Sequence, residues 1–427
     1  MSIMERGRRF AQWLRGLAER TPWEERRCPT CRGHDSWKHG SYRRHPWTLA
    51  GRQAVRVQRY WCRRCRRTFT PALAAVERRR RYGRDVRRLA IDHWQHAGSS
   101  LRRTAELVRS LIGRQERWCI WRPWEPLAAG RCPLSGSTVG RWLDDAGQRA
   151  AATVRQQLVD VPQSGQVGAD GLWATLAGKA KAVALLLVDR ISGVAYPPVV
   201  VADEDDPAHW GRLVSRATGA GLRPGRLRGL VSDGARGLAR FVEARLVWVH
   251  HQRCVFHLWR NLARPLRAAT TTAATGLQGA AATAVKRATR RELVALVRAA
   301  LDAADDAAAV AALRRLAAHR LGAGLATALA TDLGHALAYR STATVGLGRV
   351  GPEWYWRDFR LRLSHGRNHR SPARLERAAL LWALYRNFEA AQGRSERKRR
   401  YRHPGQSPLA AAGVPPGDVS YLDALAV

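Results

Sequence analysis

VSDGARGL (Val231–Leu238) and HQRCVFHLWRNL (His251–Leu262) decide how this chain is read. The first closes an apolar run, Leu227–Ser232, and sets Asp233 on a turn into a helix that starts near Gly234. A further apolar run, Arg245–His250, precedes the second string, which sets Cys254 and His257 three positions apart at the start of another helix. Upstream, strand-like runs occupy Val167–Leu176, Lys181–Val188 and Val194–Val201, with a helix near His209–Ala217. Hairpin-joined strands followed by strand–helix alternation predict an α/β or α+β sheet rather than a sandwich.

Three carboxylates stand out against this frame. Asp170, in VGADGLWATL, sits in mid-strand, where aspartate is disfavoured and invites a reason. Asp233 ends a strand, and as a bland alternative it caps the following helix. Glu376, in SPARLERAALLW, follows Ser371 as a natural N-cap and Pro372 as a natural first helical residue. That numbering puts Glu376 at the fifth helical position, beyond the reach of a capping box. Glu353, in GPEWYW, is its competitor. Together these residues suggest a carboxylate cluster for divalent metal.

The chain has 427 residues, 74 basic and 34 acidic, for a formal net charge of +40. Its length predicts roughly three domains. A surplus of that size repels itself unless a polyanion shares the space, so nucleic acid is the expected partner. Arginine's dominance over lysine fits a GC-rich genome, but codon bias does not account for so few acids. No apolar run approaches the roughly 20 residues of a membrane span. The N-terminus has no signal-peptide pattern, and a cytoplasmic, nucleoid-associated location is expected.

Seven cysteines include two Cys-x-x-Cys pairs, Cys28/Cys31 and Cys62/Cys65. Four thiolates so paired satisfy tetrahedral Zn²⁺. The strand-like sequence between them (Tyr42, Trp47, Val55, Val57, Tyr60) predicts a zinc ribbon with structural zinc. Arg63, Arg64, Arg66 and Arg67 beside the second pair are candidate phosphate contacts. Cys119 and Cys132 have no comparable partner and are read as bland thiols. Helices follow at Asp85–His96, from Ser99 or Ser100 to Leu111, and from Ser137 onward. The last opens SGSTVGRWL, which suggests a helix-turn-helix with Ser137, Thr138 and Arg141 facing DNA; ordinary three-helix packing is the alternative. Trp118, Trp121 and Trp124 lie between, as core or as base-stacking residues.

The strings around Asp170, Asp233, Cys254/His257 and Glu376 closely resemble the DDE transposases of the Mutator-like group of bacterial insertion sequences. In that family the first Asp lies in a string like ADGLW and the second in one like VSDGARGL. A C-x-x-H motif like QRCVFHLWRNL, a long helical insertion and a helix like SPARLER follow, and GQSPLAAAGV is similar to the closing segment. One departure is that many relatives carry Asn shortly after the Glu-Arg, where this chain has Ala378 and Ala379.

The resemblance implies an α+β multidomain protein. Residues 1–26, with Phe10, Trp13, Leu14 and Leu17 on one face, predict a basic N-terminal helix from the sequence itself, while 27–75 are expected as a zinc ribbon and 80–155 as the helix-turn-helix domain. Residues 160–264 begin a ribonuclease-H-like α/β catalytic domain, 265–365 are a long helical insertion, and 366–415 return as the catalytic helix and tail. It implies that Asp170, Asp233 and Glu376 hold two Mg²⁺ (or Mn²⁺) ions, as hard oxygen ligands do for in-line phosphodiester chemistry. Cys254 and His257 are expected close by, either supporting Asp233 or pinning a strand to a helix. The implied activity is cleavage and strand transfer at the terminal inverted repeats of an insertion sequence and on target DNA, by a homodimer or higher oligomer. A DNA-binding regulator or domesticated inactive transposase, and a nuclease that cuts without joining, are the competing readings.

Overall fold

The computed structural model describes residues 27–71, 80–113, 124–126, 132–340, 351–365, 371–390 and 405–427. The helix expected over 1–26, Trp118, Cys119, Trp121 and the basic tail 394–402 lie outside them. The chain divides into two compact units, residues 1–145 with 422–427, and residues 146–421.

In the first unit a five-stranded antiparallel sheet forms around one long strand. That strand, β3 (Gly51–Cys62), pairs with β1 (Ser36–Arg44), β2 (Trp47–Thr48), β4 (Thr68–Phe69) and β5 (Trp124–Pro126). Its Ala54, Val55, Val57, Tyr60 and Cys62 are buried, as expected for a half-buried strand rich in β-branched and aromatic residues. Helices α1 (Arg84–Ala97) and α2 (Leu101–Leu111) follow, and α3 (Gly136–Leu158) runs on into the second unit. Asp85 ties α1 to the sheet, accepting the Leu49 N–H at 2.7 Å and the Val86 N–H at 2.8 Å. Ser100 caps α2 as expected, accepting from the Arg103 N–H. The third helix starts earlier than expected: Ser135 accepts the Thr138 N–H, which leaves Ser137 inside the first turn.

The second unit holds a five-stranded mixed sheet in the order β10-β9-β6-β7-β8. β6 (Gln166–Thr175) and β7 (Lys181–Asp189) form a nine-pair antiparallel hairpin from Val167↔Asp189 to Thr175↔Lys181. β7 is buried along almost all its length, the mark of a strand covered on both faces. β8 is only Val199–Val201, shorter than the apolar run Val194–Val201 suggests. Before it, Ala195 makes only an isolated bridge to Val188, and Pro197 and Pro198, with no N–H to give, interrupt the ladder until Val199.

α4 (Pro207–Thr218) leads to β9 (Gly229–Ser232), parallel to β6, and α5 (Arg236–Arg245) leads to β10 (His250–Arg253), parallel to β9. Here the expectation from Arg245–His250 is corrected. Val247 and Trp248 of that run are 74% and 47% exposed, and the strand is the polar HHQR that follows. Parallel pairing with β9 and burial of Gln252 fix this strand, not its hydrophobicity. Gln252 donates to the Ala336 carbonyl at 2.8 Å and accepts the Tyr339 N–H at 2.7 Å.

α6 (Val255–Ala273) then carries the chain from the sheet into a helical segment of α7 (Gly279–Leu301), α8 (Asp306–Ala318), α9 (Ala323–Ala330) and α10 (Leu333–Leu337). Leu258, Leu262 and Leu266 of α6 share one core with Leu293, Leu301, Leu316, Leu325 and Leu329. Leu296 and Leu313 pack at its edge, whereas Val310 is 44% exposed. α11 (Glu353–His365) and α12 (Pro372–Phe388) bring the chain back, and α12 packs on β7 and β8.

Candidate functional site

Asp170 lies on β6, paired with Leu186 of β7 and one residue beyond Ala169, which pairs with Ser232 of β9. β9 therefore stops where Asp233 begins, and the two aspartates meet where the end of β9 reaches the middle of the parallel strand β6. Gly234 makes the turn possible. It has φ 84°, and a Cβ there would meet the Arg253 guanidinium. Asp233 accepts the Ala235 N–H at 3.1 Å, and Asp170, 3% exposed, accepts the N–H of Gly171 at 3.0 Å.

His257, at the third position of α6, completes the group. One ligand atom from each of Asp170, Asp233 and His257 lies within 4.8 Å of the others, close enough for one metal ion. Cys254 is the N-cap residue of α6, fully buried against Val231, and its sulfur accepts the Gly351 N–H at 3.3 Å. The two residues of the C-x-x-H pair thus separate in position: the imidazole joins the carboxylates and the thiol packs beneath them.

Ser232 Oγ lies 2.7 Å from His251 Nε2 and accepts the Gly234 N–H at 3.2 Å, a chain that holds the Asp233 turn. Burial pushes the His251 imidazole down to about 4, and the His335 and Arg253 charges add to it. A folded value below the unfolded one, near 6.5, means that this stability is whole above pH about 6.5 and is lost as pH falls through about 4. The shift corresponds to roughly 3 kcal/mol at most. Thermal melts are expected to weaken progressively from pH 6.5 to pH 4, and His251→Gln, which keeps an acceptor for Ser232, is expected to flatten that slope. An unchanged slope in the variant assigns the effect to other groups.

Glu376 stands elsewhere. Ser371 caps α12 and Pro372 opens it, as expected. However, Glu376 Oε1 accepts from Arg216 at 2.6 Å and Oε2 accepts the Val200 N–H at 3.0 Å, at the edge strand β8. Among the described residues it is not part of the Asp170 group. Glu353 is the first residue of α11.

Glu204 is a carboxylate that sequence reasoning missed. Trp173 donates to its Oε1 at 2.8 Å, and the buried Trp210 donates to its backbone carbonyl at 2.8 Å. Its Oε2 is buried without a hydrogen-bond partner. Burial pushes its carboxyl up; the Trp173 indole works against the rise and the Asp233 charge adds to it. Its neighbours in the acidic run Asp203–Asp206 serve as turn and cap residues, accepting the Asp205, Asp206 and Ala208 N–H groups, so the sequence offers no signal to single it out. An orphaned carboxylate oxygen and mutually repelling acids fit a site that takes a cation.

In the first unit the sulfurs of Cys28, Cys31, Cys62 and Cys65 all lie within 4.8 Å of one another, and none forms a disulfide. Cys28 and Cys65 are 3.5 Å apart, and Cys31 and Cys62 are 3.4 Å apart. A tetrahedral ion at the usual Zn–S distance would set sulfurs about 3.8 Å apart, so the four fit one ion. Burial raises the Cys28 thiol, but N–H groups of Cys31 and Thr30 outweigh it and hold it at about 6. The group is compatible with a zinc ribbon. Arg63, Arg64, Arg66 and Arg67 are exposed on the loop that carries Cys65, and Arg63 lies over the Trp37 ring at 4.9 Å. Ser137 and Arg141 are exposed on the first turns of α3, and Arg141 donates to Thr138 at 3.3 Å. Thr138 and Arg141 line a cleft of about 410 Å³ together with Arg80, Arg81, Arg84 and Arg87.

Residues 198–331 match the family model described as transposase, Mutator family. The matched stretch runs from the start of β8 through α9 and includes Asp233 and His257, but not Asp170, Glu376 or the four cysteines. No curated protein matches the chain. Among the described residues no helix is long and apolar enough to cross a membrane.

Proposed function

We propose that this chain, a Mutator-like transposase, cuts and joins DNA at a metal centre built on Asp170 and Asp233. The observation that carries the reading is the convergence of Asp170, Asp233 and His257 within 4.8 Å where β9 ends beside the middle of the parallel strand β6. The strand order, with three antiparallel strands followed by two parallel ones joined through helices, supports a ribonuclease-H-like domain. Asp170, Asp233 and His257 would hold one Mg²⁺ or Mn²⁺. The bound ion would stabilise negative charge on the leaving oxygen and lower the pKa of a water nucleophile. Asp170 is buried and fixed by the β6–β7 hairpin, so its carboxylate is set in place before DNA arrives.

Glu376 is proposed as the third carboxylate, on the strength of the resemblance, serving a second ion. Its two oxygens are held by Arg216 and the Val200 N–H, so it joins the aspartates only when that ion pair is exchanged, and a DNA phosphate is a suitable new partner for Arg216. In the first unit Cys28, Cys31, Cys62 and Cys65 would hold structural zinc. The arginines of that knuckle and Ser137, Thr138 and Arg141 on α3 would contact DNA in a helix-turn-helix manner. Cleavage at the two ends of an element implies a dimer or larger assembly.

The test uses labelled DNA carrying the sequences that flank the gene, with Mg²⁺ or Mn²⁺. The expected result is nicking at the element end followed by joined products, both lost in Glu376→Gln. Cleavage without joining favours a nuclease, and DNA binding with no cleavage favours a regulator. Full activity in Glu376→Gln returns that residue to its structural contact with Arg216.

A further inference from the structure

The helical segment of the second unit contains a groove that the metal-centre reading leaves unused. Trp259, Ala263, Leu266, Arg267 and Thr270 of α6 form one wall, and Arg290, Val294 and Arg298 of α7 form the other, around about 550 Å³. The spacing explains the walls. On α6 Trp259, Ala263, Leu266 and Thr270 fall at intervals of three and four with Arg267 beside Leu266, and on α7 the residues fall at intervals of four, so each set lies toward one helix face. The buried faces of both helices sit in the common leucine core, so the groove is backed by a rigid floor.

Its chemistry is one-sided. Three arginines line it and no carboxylate does. All three are exposed, and among the described residues none of them has a side-chain hydrogen bond or ion pair to an acid. Trp259, half-buried, adds an aromatic wall at one end. Trp259 is two residues beyond His257 on the same helix, which turns it about 200° from that imidazole, so the groove opens on a different face of α6 from the one that meets the aspartates. From Trp259 to Thr270 it extends along α6 for about 16 Å at 1.5 Å per residue. Unpaired guanidiniums flanking an aromatic ring recognise a phosphodiester backbone with a base stacked on the ring.

The geometry points to this groove as a seat for one strand of DNA separate from the metal centre, with Arg267, Arg290 and Arg298 on phosphates and Trp259 against a base. The identity of the ligand rests on the proposed DNA chemistry; the groove itself does not.

The experiment compares two charge-matched variants of the full chain, binding DNA without divalent metal across a salt series. Arg267→Ala/Arg290→Ala/Arg298→Ala removes the groove cations. Arg314→Ala/Arg315→Ala/Arg320→Ala removes three exposed arginines from elsewhere in the same helical segment. The groove variant is expected to lose at least tenfold in affinity and to flatten the dependence of log K on log salt by about 2 to 3. The control is expected to change less than threefold. Benzoylphenylalanine in place of Trp259 is expected to photocrosslink to DNA, and the same group in place of the exposed Val310 is not. Equal losses in the two triple variants, or no crosslink at position 259, overturn the groove while leaving the metal centre standing. Absence of any DNA binding by the unaltered chain instead removes the DNA-processing reading.

Discussion

Asp170→Asn is expected to leave the chain folded and to reduce metal-dependent DNA cleavage by about a thousandfold or more. Asparagine has the volume of aspartate and keeps an oxygen to accept the Gly171 N–H, a bond now 3.0 Å long. The β6–β7 hairpin, whose nine pairs surround the position, therefore has no reason to open. What the substitution removes is one negative charge from a group in which Asp170, Asp233 and His257 crowd within 4.8 Å. Without a cation those carboxylates repel each other, so the melting temperature is expected to stay level or rise. Catalysis moves the other way, because loss of a hard anionic ligand weakens the divalent ion that stabilises the departing oxygen. A thousandfold loss corresponds to about 4 kcal/mol, within what such charge stabilisation supplies. The pairing of an unchanged or higher melting temperature with lost cleavage separates this role from a merely structural one. Asp233→Asn should behave alike in activity, its side-chain oxygen still accepting the Ala235 N–H. Retained cleavage in Asp170→Asn would end the assignment.

The sequence shows the centre of the sheet more clearly than its edges. β6 and β7 are legible because alternating and continuous apolar runs, VGADGLWATL and AVALLLV, coincide with real burial. β10 is not, because HHQR is polar and owes its place to β9 and to the Gln252 bonds with Ala336 and Tyr339. Local chemistry is also readable at helix ends: Ser371 and Pro372 start α12 where the sequence says they do. It is silent on partners distant in the chain. Nothing in SPARLER indicates that Arg216 will take the Glu376 carboxylate. The C-x-x-H spacing fixes a helix start, yet only the fold shows that the imidazole turns to the aspartates while the thiol turns to Val231 and Gly351. Glu204 is invisible for the opposite reason, lying within an acidic run that local turn chemistry already explains.

Stripping metal from the first unit is the second large effect expected. Around the four sulfurs the buried apolar core consists of little more than Tyr60 and Phe69, stacked at 5.8 Å between ring centroids. A core of that size cannot offset the entropy of ordering the two knuckles. Metal–thiolate bonds supply what is missing: structural zinc sites in small domains contribute on the order of 10 kcal/mol to folding. Chelation, or Cys62→Ser, is therefore expected to release about one zinc per chain and to unfold the Cys28–Phe69 region. Arg63, Arg64, Arg66 and Arg67 would then lose the fixed loop that presents them, and DNA affinity is expected to fall at least tenfold. The β6–β10 sheet shares no residue with the cluster, so its melting transition should persist in the same samples. Zinc release followed by colorimetry, set beside circular dichroism melts and DNA binding, gives all three readouts. Metal-free protein that keeps both its first-unit structure and its DNA affinity would show the four cysteines to be bystanders. Retained structure with lost affinity would instead make the ion part of the DNA contact.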